Sequence, residues 1–342
     1  MKEKTIKPTN TLGFMISISA IILFICSSLR HALFNSSAFD LGIFDNAIYL
    51  ISQGKQPFVF FREIHILGDH AAWILYPLAL LYKIYPDIHW LFAVQAISLA
   101  LGALPTWYLA IQAGLKESQA IAIAAVYLLY PLIFNINLFD FHPEVIAPLA
   151  ILAGILAARN DKLWLFSLAI ILILSCKAVL SLTVVAMGLW LLIFEKKRLY
   201  GVIALFSGVL WFLIATQLII PAFSGEEAAA VGRYTFLGDS VLEIAKNIIL
   251  KPGIILSNLF TLENLGYIFL LLLPVIWGLS WRHLTPLVGA IPTLFLNLLT
   301  DYYPQKDLIH QYSLPILPFL LLAVISNLAS GGGWLRNRRV II

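Results

Sequence analysis

Leu163-Trp-Leu-Phe-Ser-Leu-Ala-Ile-Ile-Leu-Ile-Leu-Ser-Cys-Lys177-Ala-Val-Leu-Ser-Leu-Thr-Val-Val-Ala-Met-Gly-Leu-Trp-Leu-Leu-Ile-Phe194 holds one charge, Lys177, in its whole length. A single helix over these residues is roughly 48 Å long at 1.5 Å per residue, against a hydrocarbon core of about 30 Å. Two helices are each slightly short, but they keep Lys162 and Lys196 on the same side. The stretch therefore reads as a shallow hairpin turning at Lys177. Such a turn must border water or protein, because irregular backbone is not tolerated against lipid.

Outward from that hairpin the chain keeps the same character. Hydrophobic residues make up 61% of 342 and charged residues 12%, with a mean hydropathy of +0.92. An average soluble domain has about twice that charged fraction. Apolar runs near 12–33, 88–112, 119–137, 143–158, 163–176, 178–194, 199–221, 264–281, 284–299 and 313–329 predict an all-α polytopic membrane protein. About ten spans are expected, in one integral domain over 1–342. Met15–Leu33 lacks a small-residue cleavage site and reads as a retained span. Residues 70–86 are apolar but short and interrupted by Pro77. Counted as a span they would invert every later loop, so they are expected to lie in the interface, anchored by Trp73, Tyr76, Tyr82 and Tyr85. Cys26 and Cys176 sit in apolar context and suggest no disulfide framework.

Sidedness follows from the short connections. With the N-terminus inside, Lys2, Lys4, Lys7, Lys116, Arg159, Lys162, Lys196, Lys197, Arg198, Arg282, Arg336, Arg338 and Arg339 share one side, a positive-inside pattern. Of the 18 acidic residues only Glu3, Glu117, Asp161 and Glu195 stay with them, and of the seven histidines only His283. Candidate chemistry thus gathers in four outer loops, about 34–87, 135–143, 222–263 and 300–312. The net charge of +4 is scattered among short connectors, which does not suggest nucleic acid.

Those loops hold candidate bases in Asp40, Asp45, Asp69, Asp140 and Glu144, with His70 and His142 beside them. A membrane-edge setting can raise a carboxylate into a useful range. Each also has a plainer reading. Asp40 and Asp45 suit the start of a juxtamembrane helix, and Pro143-Glu144 is an ordinary helix N-terminus. His65, His70 and His142 beside carboxylates admit a divalent metal, although their spacing matches no closed zinc pattern. Lys177, Arg233 and His310 are the cationic or protonatable groups that a phosphate or diphosphate would require on this side, with Tyr234 and Tyr312 beside them.

Phe39-Asp40-Leu-Gly-Ile-Phe-Asp45-Asn46, Gly68-Asp69-His70, Phe139-Asp140-Phe-His142-Pro-Glu144, Arg233-Tyr234-Thr-Phe-Leu-Gly238 and His310-Gln-Tyr312-Ser-Leu-Pro-Ile-Leu-Pro318 resemble, in that order, a bacterial membrane-protein family known as domain-of-unknown-function family 2079. The resemblance covers about 35 to 325. That family in turn looks like a branch of the GT-C glycosyltransferases, polytopic enzymes with juxtamembrane helices in the first outer loop. The resemblance implies a sugar taken from a polyprenyl-phosphate donor to a glycan, lipid or protein acceptor. It implies the outer face of a bacterial inner membrane, with both termini cytoplasmic. By position it makes Asp40 the catalytic acid residue and Asp140/Glu144 the second acidic motif. Asp45, Asp69, His70 and His142 would support them, and Lys177, Arg233, Tyr234, His310 and Tyr312 would hold the donor phosphate. Where the family usually carries Lys-Glu-Asp in the hairpin, this chain has Lys177-Ala178-Val179. Two other classes stay open on the residues alone: a small-solute permease, since ionisable residues also mark transport pathways, and a non-catalytic relative that binds the lipid carrier.

Overall fold

The structure is a computed structural model and describes residues 9–332. Lys2, Glu3, Lys4, Lys7, Arg336, Arg338 and Arg339, assigned above to one side, lie outside the described residues. The described chain is helical apart from one two-residue hairpin, β1 (Phe58–Val59) with β2 (Ile64–His65), paired antiparallel.

The first membrane helix, α1 (Asn10–Ala32), is capped by Thr9, whose hydroxyl accepts from the Leu12 amide. Most of its surface is exposed, as expected of a lipid-facing helix. The first loop folds into α2 (Asp40–Ser52), the small hairpin, α3 (Ile66–His70) and α4 (Leu75–Ile84). With ten residues, α4 is about 15 Å long, half of what a crossing needs.

Next come α5 (His89–Leu101) and α6 (Ala103–Gln112), nearly continuous through Gly102, then α7 (Glu117–Leu128) and α8 (Pro131–Phe139). A Cβ on Gly102 would collide with the Tyr127 hydroxyl, so glycine is what lets α5–α6 and α7 approach here. Asn137 ties α8 to the other helices. Its Nδ2 donates to the Leu23 carbonyl, and its own carbonyl accepts from Gln95 and Ser27. Because Pro131 starts a fresh helix that runs through Phe139, residues 135–139 are helical and the second loop shortens to 140–142.

A 3-10 turn over Pro143–Ile146 leads into α9 (Ala147–Arg159), followed by α10 (Leu163–Cys176) and α11 (Leu180–Ile193). The chain breaks at Lys177 to Val179, where the length of the apolar run requires a turn. α9 leaves the Glu144 end and reaches Arg159 about 20 Å away, and α10 returns to Lys177. At the far end Arg159 pairs with Glu195 through two 2.8 Å bonds and Lys197 pairs with Asp161 at 2.7 Å. The acidic residues left among the lysines and arginines are therefore neutralised there. α12 (Arg198–Ile214) packs on α11 through small residues. A Cβ on Gly188, Gly201 or Gly208 would meet backbone of the facing helix within 2.8 Å.

A π turn over Ala215–Ile219 precedes Pro221 and the short α13 (Ile220–Ser224). The third loop contains α14 (Val241–Leu250) and α15 (Pro252–Leu259), and α16 (Leu262–Leu272) follows at a 60° bend. A 3-10 run over Thr285–Ala290 continues into α17 (Ile291–Leu299), and α18 (Leu317–Ala329) closes the described chain. α18 is buried along almost all its length and forms the centre of the bundle.

Among the described residues, five helical stretches are long and apolar enough to cross a membrane: Asn10–Ala32, His89–Gln112, Glu117–Phe139, Arg198–Ser224 and Tyr303–Ala329. The pair α15–α16 reaches that length only if its two halves, bent by 60°, are counted as one span. The remaining apolar helices, including α10 and α11 at 14 residues each, fall short of that length.

Candidate functional site

The start of α2, the end of α10 and the turns leading into α9 and α18 meet in one cluster, and the local backbone explains how. Asp140 ends α8 with φ 148° and ψ 170°, a region essentially reserved for glycine. Its side chain is held from two directions. Arg30 at the end of α1 donates to Oδ1 at 2.7 Å, and the Ser37 amide donates to Oδ2 at 2.8 Å. The Ser37 hydroxyl then accepts from the Asp40 amide at 3.1 Å. Arg30, Asp140 and Ser37 thus form a chain that ends at the first turn of α2 and sets where Asp40 stands. Burial raises the Asp140 carboxyl above its usual range, and the Ser37 amide and Arg30 oppose that shift.

Asp40 itself is half-buried at the start of α2, where the helix dipole favours a negative charge. Asp45 lies one turn further on and is held by the buried Tyr82, whose hydroxyl donates to Oδ1 at 2.6 Å. It secures α4 against α2 and stands apart from the cluster.

Glu144, His142, Lys177, Tyr312 and Arg233 are brought together. Lys177 Nζ donates to Glu144 Oε1 at 2.5 Å, with both side chains buried. The same ammonium lies 5.5 Å from the centre of the Tyr312 ring. The Arg233 guanidinium lies 4.5 Å from the centre of the Tyr302 ring and 5.0 Å from that of the Tyr312 ring. It donates to Gln305 Oε1 at 3.0 Å and to the Tyr312 hydroxyl at 3.1 Å. Both partners are neutral. Gln305 also donates to the Tyr234 hydroxyl at 2.9 Å, which fixes Tyr234 in the same network.

His142 stacks on Phe139 and meets Phe44 edge-on. Its Nδ1 donates to the Asp140 carbonyl at 3.3 Å, since a carbonyl can only accept. Burial lowers the basicity of His142, opposed by the nearby Glu144 and Asp40 carboxylates. The Asp40 charge is thus close enough to act on this imidazole. His310 packs against Phe139 and is held by Asp307 at 2.8 Å.

Asp69 and His70 come from the side of the first loop. Gly68 is pressed on the Phe223–Ser224 backbone so tightly that a Cβ would stand 2.8 Å from it. The His70 carbonyl accepts from the Ala178 amide at 3.0 Å, joining this loop to the hairpin turn. Asp69 is paired with Arg62 at 3.2 Å and His70 at 3.3 Å. Burial lowers His70 to about 4, although Asp69 favours its charged form; Lys177 and Arg233 act in the opposite sense.

A cavity of about 40 Å³, room for about three waters, is lined by Glu144, Lys177, Asn297, Gln305, Gln311 and Tyr312, with apolar neighbours. Glu144 Oε2 and Gln311 Oε1 are buried there without a hydrogen-bond partner among the described residues. Buried acceptors of that kind call for a donor. Among the described residues no three His, Cys, Asp or Glu side chains converge to hold a metal ion by themselves. His65 is instead stacked on Phe223 and accepts from the Leu67 amide.

Arg30, Arg62, Gln305 and Asp307 are participants that the loop motifs do not reveal. Arg30 and Arg62 stood against the positive-inside bias, but so did Lys55, Lys83, Lys246, Lys251 and Lys306, and nothing in the sequence set the two arginines apart. Gln305 and Asp307 carried no signal either.

Residues 30–342 match the family model described as "Predicted membrane protein (DUF2079)", and the chain belongs to that family. The match begins at Arg30 and takes in every residue of the cluster. No curated protein and no solved structure matches the chain.

Proposed function

We propose that this integral membrane protein is a GT-C-type glycosyltransferase. It moves a sugar from a polyprenyl-phosphate donor to an acceptor at the outer face of the bacterial inner membrane, with both termini cytoplasmic. About ten spans are part of this reading, with α9, α10, α11 and the Thr285–Leu299 stretch crossing as the shorter ones; α9 and α11 are mostly enclosed by protein, while α10 keeps an exposed apolar face.

The observation that carries it is the arrangement of charges around Tyr312. Arg233 is a fixed cation whose hydrogen-bond partners are neutral, so its charge is available to a phosphate. Lys177 adds a second cation beside the same ring, already committed to Glu144. A half-buried carboxylate, Asp40, has its backbone anchored by Ser37, and its charge acts on His142 and on Tyr302, one of the rings that Arg233 stacks against. Asp40 takes the proton of the acceptor hydroxyl as its oxygen bonds to the anomeric carbon. The bond from that carbon to the phosphate oxygen breaks, and Arg233 stabilises the charge left on the phosphate. Asp140 works by positioning Asp40, and Glu144 by fixing Lys177. With no carboxylate at Ala178 or Val179, no step uses one there.

Donor binding tests the reading directly. Arg233→Gln is expected to weaken binding of polyprenyl-phosphate sugar about 10- to 100-fold, the loss of one charge-assisted contact of about 1.5–3 kcal/mol. Equal binding by the variant removes Arg233 from the phosphate site.

A further inference from the structure

Outside the cluster and the long candidate spans, the third loop exposes an apolar surface. The inner side of α14 is well anchored. Ile244 packs with Val231, Tyr234 and Leu237, and Asn247 Nδ2 donates to the Leu237 carbonyl at 2.5 Å. That side therefore supports the turn that carries Arg233. The other side of α14, with α15 and the start of α16, exposes Leu242, Ile249, Leu250, Leu256, Phe260 and Leu262. Ile249 is 78% and Phe260 76% exposed. A patch of that size in water opposes solubility at about 25 cal/mol per Å².

Its surroundings say what covers it. α16 is an apolar helix of 11 residues that meets α15 at 60°, too sharp a bend for the two to run as one straight span. If α16 crosses near the membrane normal, α15 lies within about 30° of the membrane plane, where interfacial helices sit. Lys246 and Lys251 are exposed beside the apolar residues, with stems long enough to reach headgroups. The helix is also firmly started, since the Ser240 hydroxyl accepts from the Glu243 amide.

We propose that α14 and α15 are seated in the lipid interface of the leaflet on the acidic face. The lipid surface is their partner, and this seat holds the Arg233 turn against Tyr302 and Tyr312. The inference does not depend on sugar transfer.

The test uses full-length protein in phosphatidylcholine–phosphatidylglycerol nanodiscs, with Cys26→Ala and a nitroxide on Ile249→Cys or Phe260→Cys. Glu226→Cys serves as the water-facing control. At 249 and 260, relaxation by oxygen should exceed relaxation by an aqueous nickel chelate several-fold, the reverse of 226. Nickel-dominated relaxation at 249 and 260 overturns the proposal. Shielding from both reagents also overturns it, because a protein then covers the face. In a second experiment, Ile249→Glu should cut hydrogen-exchange protection of the Leu237 amide about tenfold. Unchanged protection breaks the link to Arg233.

Discussion

Lys177 and Glu144 form an ion pair of 2.5 Å inside the protein, between the hairpin turn and the start of α9. Removing one partner leaves the other charge buried and unpaired, which typically costs 3–5 kcal/mol. Glu144→Leu and Lys177→Met are each expected to lower the unfolding temperature in detergent strongly. The double variant should recover much of that loss. Additive losses in the double variant would show that the two residues act separately.

The strained backbone at Asp140 gives a sharper comparison. Asp140→Ala and Asp140→Gly both free Arg30 and the Ser37 amide, but only glycine relieves the conformation. Asp140→Gly is therefore expected to be more stable than Asp140→Ala by about 1–3 kcal/mol, read from thermal unfolding. Both should impair function, because Ser37 no longer fixes the first turn of α2. Equal stabilities would mean that the backbone relaxes once the carboxylate is gone.

His70 makes stability depend on pH. Its folded value, about 4, lies below the ordinary 6.5, so the unfolded chain binds a proton that the folded chain refuses. Stability from this group is intact above about pH 6.5. It falls as pH drops towards 4 and then levels off. His70→Gln should flatten the unfolding midpoint across that window, and an unchanged slope would assign the dependence to other groups.

Packing at Gly102 is testable in the same way. Gly102→Ala places a methyl group against the Tyr127 hydroxyl, which donates to the Leu99 carbonyl. A loss of about 1–3 kcal/mol is expected from overpacking. Adding Tyr127→Phe should recover part of it, and no recovery would place the clash elsewhere.

Much of this architecture can be read from the chain alone. The apolar length of 163–194 against a bilayer is enough to require the break at Lys177, and proline with short length keeps 70–86 from being a full crossing. The motif residues Glu144, His142, Lys177, Arg233 and Tyr312 converge, although they lie on loops far apart in sequence. Pairings are harder to read. Arg30 reaches Asp140 across 110 positions, and no periodicity encodes such a contact. In the proposed function that contact gives Asp140 the part of a positioning residue. Neutral partners such as Gln305 are invisible for a related reason, because an amide in a polar loop looks the same whether it is solvated or holds a guanidinium. Helix α8 runs into the expected second loop because Pro131 restarts the helix and nothing stops it before Asp140.

The central claim is that Asp40 removes a proton from the acceptor during sugar transfer. Nanodisc-embedded protein is mixed with labelled polyprenyl-phosphate sugars and an envelope extract as acceptor source, and label leaving the carrier is followed for wild type and Asp40→Asn. Transfer by the wild type, reduced at least about a thousandfold in a variant of equal stability and equal donor binding, is the expected result. Undiminished transfer by Asp40→Asn would contradict the account.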